Sequence, residues 1–159
     1  VFKTPSDNRT DFIKRLIGMP GDEIQMIDGN LFINKKIIPK KKINNRFDIR
    51  CAGYEKEVIE FTENLPNNKS YTSVYNSKGS MKNTDLYIVP EKHYFFLGDN
   101  RDCSSDSRFL SNVGYVHENN LVGKARLIFF SNDTHRGSLL KFWNWRNSIR
   151  TDRFLKYIE

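Results

Sequence analysis

Short apolar runs, alternating with polar residues and closed by turn formers, dominate the chain; this is the pattern of β-strands rather than of helices. Residues 12–17, Phe-Ile-Lys-Arg-Leu-Ile, predict a six-residue strand. Gly18-Met19-Pro20-Gly21-Asp22 closes it, and Pro before Gly suits the centre of a type II turn because Gly accepts the positive φ. Residues 23–27 and 31–33 flank Asp28-Gly29-Asn30, a strong hairpin signal. A second hairpin turns at Asn34-Lys35-Lys36 into Ile37-Ile38-Pro39.

From Lys40 to about Asp85 the composition shifts towards Lys, Asn and Ser. Strand-like pieces at 57–62 and 71–75, with a turn at Asn67-Asn68, read as an inserted β subdomain with long loops. Lys40-Lys41-Lys42 reads as a solvated loop. The core pattern resumes at 86–89 and 93–97, a polar loop covers 98–108, and residues 121–130 predict a further strand. Only the tail, 138–159, has a helical rhythm, with Leu139, Phe142, Trp143 and Arg146 in a ragged i, i+3, i+4, i+7 order. The fold class expected is mainly β: an antiparallel β core, 1–22 with 90–159, carrying an inserted β subdomain at 23–89.

Composition narrows the classes. Hydrophobic residues at 38% and aromatics at 13% supply a core and exclude wholesale disorder. With 26 basic and 19 acidic residues the net charge is +7, which suits an anionic membrane surface or nucleic acid without choosing between them. Two cysteines, Cys51 and Cys103, make no disulfide framework, and with three histidines and no C-x-x-C pair they suggest no structural zinc. Whether the two pair with each other stays open. No apolar run nears the roughly 18 residues that cross a bilayer. The abrupt opening at Val1-Phe2-Lys3 gives the expectation of a chain cut from something longer.

Two segments hold candidate chemistry. In the first, strand alternation sets Lys14 on one face with Phe12 and Leu16, and sends Arg15 to the other with Ile13 and Ile17. A lysine among apolar side chains loses hydration, which disfavours its charged form. To serve as a general base near neutral pH it must fall from about 10.4 by roughly 2–3 units. The alternative is a lysine that snorkels from an edge strand to water. The second segment is Gly98-Asp99-Asn100-Arg101-Asp102-Cys103-Ser104-Ser105-Asp106-Ser107-Arg108. A calcium-loop reading fails, because the sixth position is Ser104 rather than Gly and the twelfth is Leu110 rather than Glu. The segment can instead offer small hydroxyls to an amine and carboxylate–guanidinium pairs to itself. Asp106 and Arg108 are near enough to pair, and Asp99 can reach Arg15; an ordinary polar loop is the alternative.

Together the segments resemble bacterial type I signal peptidases (leader peptidases). Residues 14–22 resemble the lysine-bearing box of that family, and 98–108 resemble its later box, G-D-N-R-D-N-S-x-D-S-R. Ninety residues separate Lys14 from Ser104, which suits members with an inserted β subdomain. Residues 90–95 and 122–125 fit as well, and the resemblance runs from Val1 to about Phe130. Cys103 stands where the family usually has Asn. The family's nucleophile is a serine in an S-M-x-P-T segment, upstream of the lysine box and after a transmembrane anchor. No such segment stands in this sequence, and Ser6, in Thr4-Pro5-Ser6-Asp7, has the wrong neighbours. The expectation is that nucleophile, anchor and oxyanion-hole donors are absent from these residues, which alone would be inactive.

The resemblance implies a membrane-bound serine endopeptidase with a Ser–Lys dyad, cutting signal peptides from exported preproteins after small residues, at A-x-A sites. It implies Lys14 as general base and Ser104 as the residue orienting it. Arg15, Asp99, Asp106 and Arg108 would support the site as ion pairs. Asp11, Phe12, Ile13 and Phe96 would bind substrate. It implies no metal and no organic cofactor. The expected partners are preprotein signal peptides and an anionic membrane surface, with no nucleic acid, and the expected state is a monomer. The expected place is the outer, periplasmic face of the bacterial cytoplasmic membrane. Two other classes remain: another Ser–Lys peptidase, such as a conjugation-pilus maturation protease or a self-cleaving repressor, and a non-enzymatic basic module that binds membrane or nucleic acid. A Ser-His-Asp hydrolase is a poor third, since His93, His117 and His135 sit in no recognisable nucleophile setting.

Overall fold

A computed structural model of the chain describes residues 1–51, 54–76, 78–79, 82–131, 149 and 151–158; of 45–51, 54–56 and 152 the backbone alone is described. It falls into two compact units, 1–123 and 124–159, taken separately below.

The first unit is antiparallel β throughout its named sheets. In chain order the strands are β1 (Phe2–Lys3), β2 (Asp11–Phe12), β3 (Arg15–Gly18), β4 (Glu23–Ile27), β5 (Asn30–Ile33), β6 (Lys36–Ile37), β7 (Lys40–Cys51), β8 (Tyr54–Asn64), β9 (Ser70–Asn76), β10 (Tyr87–Ile88), β11 (His93–Leu97) and β12 (Val116–His117). They pair as β1-β2, as β10-β4-β5-β6, as β12-β11-β3 and as β7-β8-β9. The turn chemistry set the early hairpins as expected. Asp22 N–H donates to the Met19 carbonyl at 3.0 Å around Gly21, whose φ is 86°. Ile27 pairs with Asn30 across Asp28 (φ 48°) and Gly29 (φ 73°), the two positive values a type I′ turn demands.

Alternation builds the core. Ile24 and Met26 of β4, Leu31 and Ile33 of β5, and Ile17, Tyr71, Tyr87, Val89, Phe95 and Leu97 bury together. Phe96, one residue from Phe95, points to a second cluster with Phe2, Val113 and Val116, so β11 is buried on both faces. Burying a side chain of that size contributes about 1.5–3 kcal/mol each.

Four expectations are corrected. The strand over 12–17 is two strands, β2 and β3, with Ile13-Lys14 between them. Phe12 pairs with Phe2 on β1, while Leu16 pairs with Phe96 on β11, so the chain changes partner strand at the lysine. Leu16 is exposed rather than a wall beside Lys14. Lys40-Lys41-Lys42 is no loop but the start of β7, with Lys40 Nζ over the Phe61 and Tyr75 rings at 4.9 and 4.6 Å. Burial there pushes the Lys40 amine below its ordinary value. Residues 121–130 hold only a two-residue strand, β13 (Leu127–Ile128), in the second unit.

In that unit β13 pairs with β14 (Lys156–Tyr157), and the Phe130 and Phe154 rings meet at a tilt, their centres 5.5 Å apart. Residues 151–153 form a 3-10 turn. A further correction falls in this unit: the helical rhythm read over 138–159 ends in a 3-10 turn and β14 rather than in a helix, while Leu139, Phe142, Trp143 and Arg146 lie outside the described residues. Among the described residues no helix is long and apolar enough to cross a membrane.

Candidate active site

Lys14 occupies the gap between β2 and β3, and its amine points at the 98–108 loop. Lys14 Nζ donates to Ser104 Oγ at 2.6 Å and lies 5.3 Å from the centre of the Phe12 ring. The approach depends on Gly98. A Cβ there would stand 2.0 Å from Ser104 Oγ and 3.5 Å from Lys14 Nζ. Burial pushes the Lys14 amine below its ordinary value. Asp106 and Asp99 pull the other way, and Arg108 adds to the fall. An amine so placed gives up its proton more readily than a solvated lysine, and keeps a hydroxyl beside it.

The adjoining residue faces elsewhere. Arg15 Nε and Nη2 grip Asp99 Oδ1 and Oδ2 at 2.7 and 2.9 Å, a bidentate pair, and the guanidinium lies 4.0 Å from the Tyr71 ring centre. Burial alone would lower the affinity of Arg15 for its proton, but the Asp99 contact more than offsets it.

The loop is polar in sequence and buried in the fold. Arg101, Asp106, Ser107 and Arg108 are all buried. Asp106 accepts from Arg108 Nε and Nη2, both at 2.8 Å, and from Gly98 N–H at 2.9 Å. Arg108 Nη2 also donates to the Arg101 carbonyl. Ser107 Oγ accepts from Phe96 N–H at 2.9 Å, and Ser107 N–H donates to the Phe96 carbonyl at 3.0 Å. Val74 N–H of β9 donates to the Asp99 carbonyl at 2.7 Å, so the start of the loop is laid along that strand. Cys103 is disulfide-bonded; the chain's other cysteine is Cys51, whose side chain lies outside those described.

The residues expected at a substrate groove divide. Asp11 is exposed, 3.5 Å from Lys3 Nζ, and Ile13 is 66% exposed. Phe12 is half-buried and meets Phe2 edge-on at 6.2 Å, while Phe96 is buried against the same Phe2 at 4.6 Å. His93 and His117 face each other across β11 and β12, ring centres 4.9 Å apart, each Nδ1 engaged by nearby backbone; His135 lies outside the described residues. Among the described residues no three His, Cys, Asp or Glu side chains gather where they would hold a metal.

Sequence reasoning missed a buried cluster beneath the loop. Glu63 Oε2 accepts from Arg101 Nη2 and from Tyr71 Oη, both at 2.6 Å; Oε1 accepts from Tyr75 Oη at 2.6 Å and Ser73 Oγ at 2.8 Å. Burial raises the Glu63 carboxyl, but Arg101 and the three hydroxyls outweigh it and hold it below its usual range. The legible signal was the period-2 run Tyr71, Ser73, Tyr75, three hydroxyls on one strand face opposite a glutamate.

A family model described as signal peptidase, peptidase S26, matches residues 1–130. The chain is 39% identical to the signal peptidase I of Rickettsia conorii over 173 aligned residues, covering 98% of this chain and 62% of that one. The Rickettsia typhi signal peptidase I is likewise 39% identical, with the same coverage. The chain thus spans about three-fifths of the length of these curated relatives. A crystal structure of a signal peptidase I from Enterococcus faecalis aligns at 26% identity and a TM-score of 0.39, covering 77% of this chain and 89% of that one. With its family model matched across 1–130, both sequence boxes included, the chain belongs to the signal peptidase family, peptidase S26.

Proposed function

We propose that this chain is the catalytic region of a serine endopeptidase that removes N-terminal signal peptides from exported preproteins, with Lys14 as its general base. The observation that carries the reading is the half-buried Lys14 amine, lowered in proton affinity and held 2.6 Å from Ser104 Oγ. By resemblance to the family, the attacking serine belongs to an S-M-x-P-T segment preceding the lysine box.

Neutral Lys14 takes the proton of that serine as its oxygen bonds to the scissile carbonyl carbon. The ammonium so formed gives the proton to the leaving amine as the C–N bond breaks, leaving an acyl-enzyme and a neutral lysine. Water then attacks the ester, Lys14 again takes the proton, and its return to the serine oxygen frees the new carboxyl terminus. Ser104 orients the amine and transfers no proton to substrate. Arg15 with Asp99, and Asp106 with Arg108, keep the loop in place. Removing one member of such a pair strands the other, so these residues can be essential without touching substrate.

Substrate adds as an extended strand beside Asp11, Phe12 and Ile13, its backbone meeting that of the short β1-β2 ribbon. By resemblance to the family, Phe12, Ile13 and Phe96 would line side-chain pockets that admit no more than Ala-sized groups, which would account for an A-x-A preference. The working partners are preprotein signal peptides and an anionic membrane surface, the enzyme acting as a monomer on the outer face of the bacterial cytoplasmic membrane.

The test is cleavage of a preprotein at an A-x-A site by the polypeptide that includes the upstream segment. Lys14→Ala and Lys14→Arg should both abolish it, because arginine cannot lose its proton in a protein. Ser104→Ala should slow it by a smaller factor. Retention of most activity in Lys14→Arg would make Lys14 an electrostatic rather than a proton-transferring residue.

A further inference from the structure

The cluster beneath the loop joins both sides of the site. One arm runs through Arg101. Its guanidinium, 1% exposed, donates to Glu63 Oε2 at 2.6 Å, to Tyr71 Oη at 2.7 Å and to Tyr75 Oη at 2.7 Å. Arg101 opens the 3-10 turn Arg101–Cys103, and Ser104 is the next residue. The Arg101 carbonyl accepts from Arg108, whose guanidinium holds Asp106, which in turn holds Gly98 N–H. The other arm runs through Tyr71, whose hydroxyl bonds Glu63 and whose ring face carries Arg15, the neighbour of Lys14.

Four donors converge on the Glu63 carboxylate, one for each of its lone-pair positions. A carboxylate so saturated fixes direction as well as charge. Exchanging the ion pair alone for an apolar pair of similar volume costs the fold little, since the desolvation of a buried ion pair tends to cancel its attraction, although it leaves the Tyr71, Ser73 and Tyr75 hydroxyls without their Glu63 partner. What the apolar pair would lack is any means of aiming the turn that delivers Ser104.

We propose that Glu63, on the middle strand of the β7-β8-β9 sheet, is a positioning residue for Lys14: it anchors Arg101 and Tyr71 and thereby fixes where Ser104 meets the lysine amine. The sheet is then a working part of the site rather than an appendage. This rests on the reading of Lys14 as a proton acceptor. Burial is the largest cause of the lowered Lys14 amine, so a loop no longer anchored lets water in and moves the amine back up.

The experiment follows the side-chain carbon of Lys14 by carbon-13 NMR against pH in the 159-residue chain, the signal being assigned by its loss in Lys14→Arg. Alongside the parent stand the double variant Glu63→Leu with Arg101→Met, and Tyr75→Phe, which removes one hydroxyl and keeps the ring. Thermal melting reports the fold of each. The expected result is a folded double variant whose Lys14 titrates at least halfway back towards the free value of about 10.4, and a smaller upward shift in Tyr75→Phe. A folded double variant with the parent's Lys14 titration overturns the proposal. Should the double variant not fold, Tyr75→Phe decides: a rise supports the proposal and an unchanged titration overturns it. A parent whose Lys14 titrates as a free lysine removes the reading beneath, whereas a lowered parent unmoved in folded variants removes only the role of Glu63.

Discussion

At Gly98 the backbone comes so near Ser104 that no side chain fits between them. A Cβ would stand 2.0 Å from Ser104 Oγ and 2.3 Å from its Cβ, so Gly98→Ala must displace the serine or the loop. Misplacement of a catalytic partner by about 1 Å costs on the order of 100-fold in rate. Gly98→Ala should therefore lower kcat by about that factor while the chain still folds, which a parallel cleavage and melting series would check. Lys14 adds a pH dependence of fixed sign. Its folded value lies below its unfolded one, so between the two the unfolded chain binds more protons. Under the proposed mechanism rate should rise as pH climbs through the folded value, because that mechanism needs the neutral amine. Stability should rise over the same window and level off above the unfolded value, and Lys14→Met should remove that component from a series of denaturant melts.

Among the elements, β11 carries the most. Phe95 faces the main core and Phe96 the second cluster, while Ser107 and Leu16 bind its two sides. Phe95→Ala should cost about 3–5 kcal/mol, read as a shift in denaturant midpoint with unchanged slope. The strand was legible because five apolar or aromatic-rich residues follow a Pro-bearing turn, and the early hairpins because Pro-Gly and Asp-Gly fix their backbone. Residues 12–17 misled for a physical reason. Their apolar pattern is continuous, but pairing moves from β1 to β11 at Ile13-Lys14, a tertiary choice that local alternation does not record. Lys40 misled in the same way: a lysine run reads as solvated until Phe61 and Tyr75, far along the chain, cover its first member. The site showed the same division. Lys14 and Ser104 stood out by their boxes, whereas Glu63 was marked only by the hydroxyl run Tyr71, Ser73, Tyr75, and its partner Arg101 reaches it only through the fold.

Over the whole molecule, a net charge of +7 accompanies exposed apolar side chains in the second unit, among them Phe129, Leu155 and Tyr157. Basic groups beside aromatics suit an anionic headgroup layer, each cation near the surface contributing about 1 kcal/mol. The chain should co-sediment with anionic vesicles, less so at high salt and less after truncation before Ser138. Equal binding by the truncated form would move the contact elsewhere, most simply to the rim around Phe12. The proposed mechanism, though, turns on one proton. It is tested most directly by titrating the Lys14 amine in the 159-residue chain by NMR. The expected midpoint lies below that of every solvent-exposed lysine in the same spectrum, with a chemical-shift response to Ser104→Ala. A Lys14 that titrates with the exposed lysines, indifferent to Ser104, would contradict it.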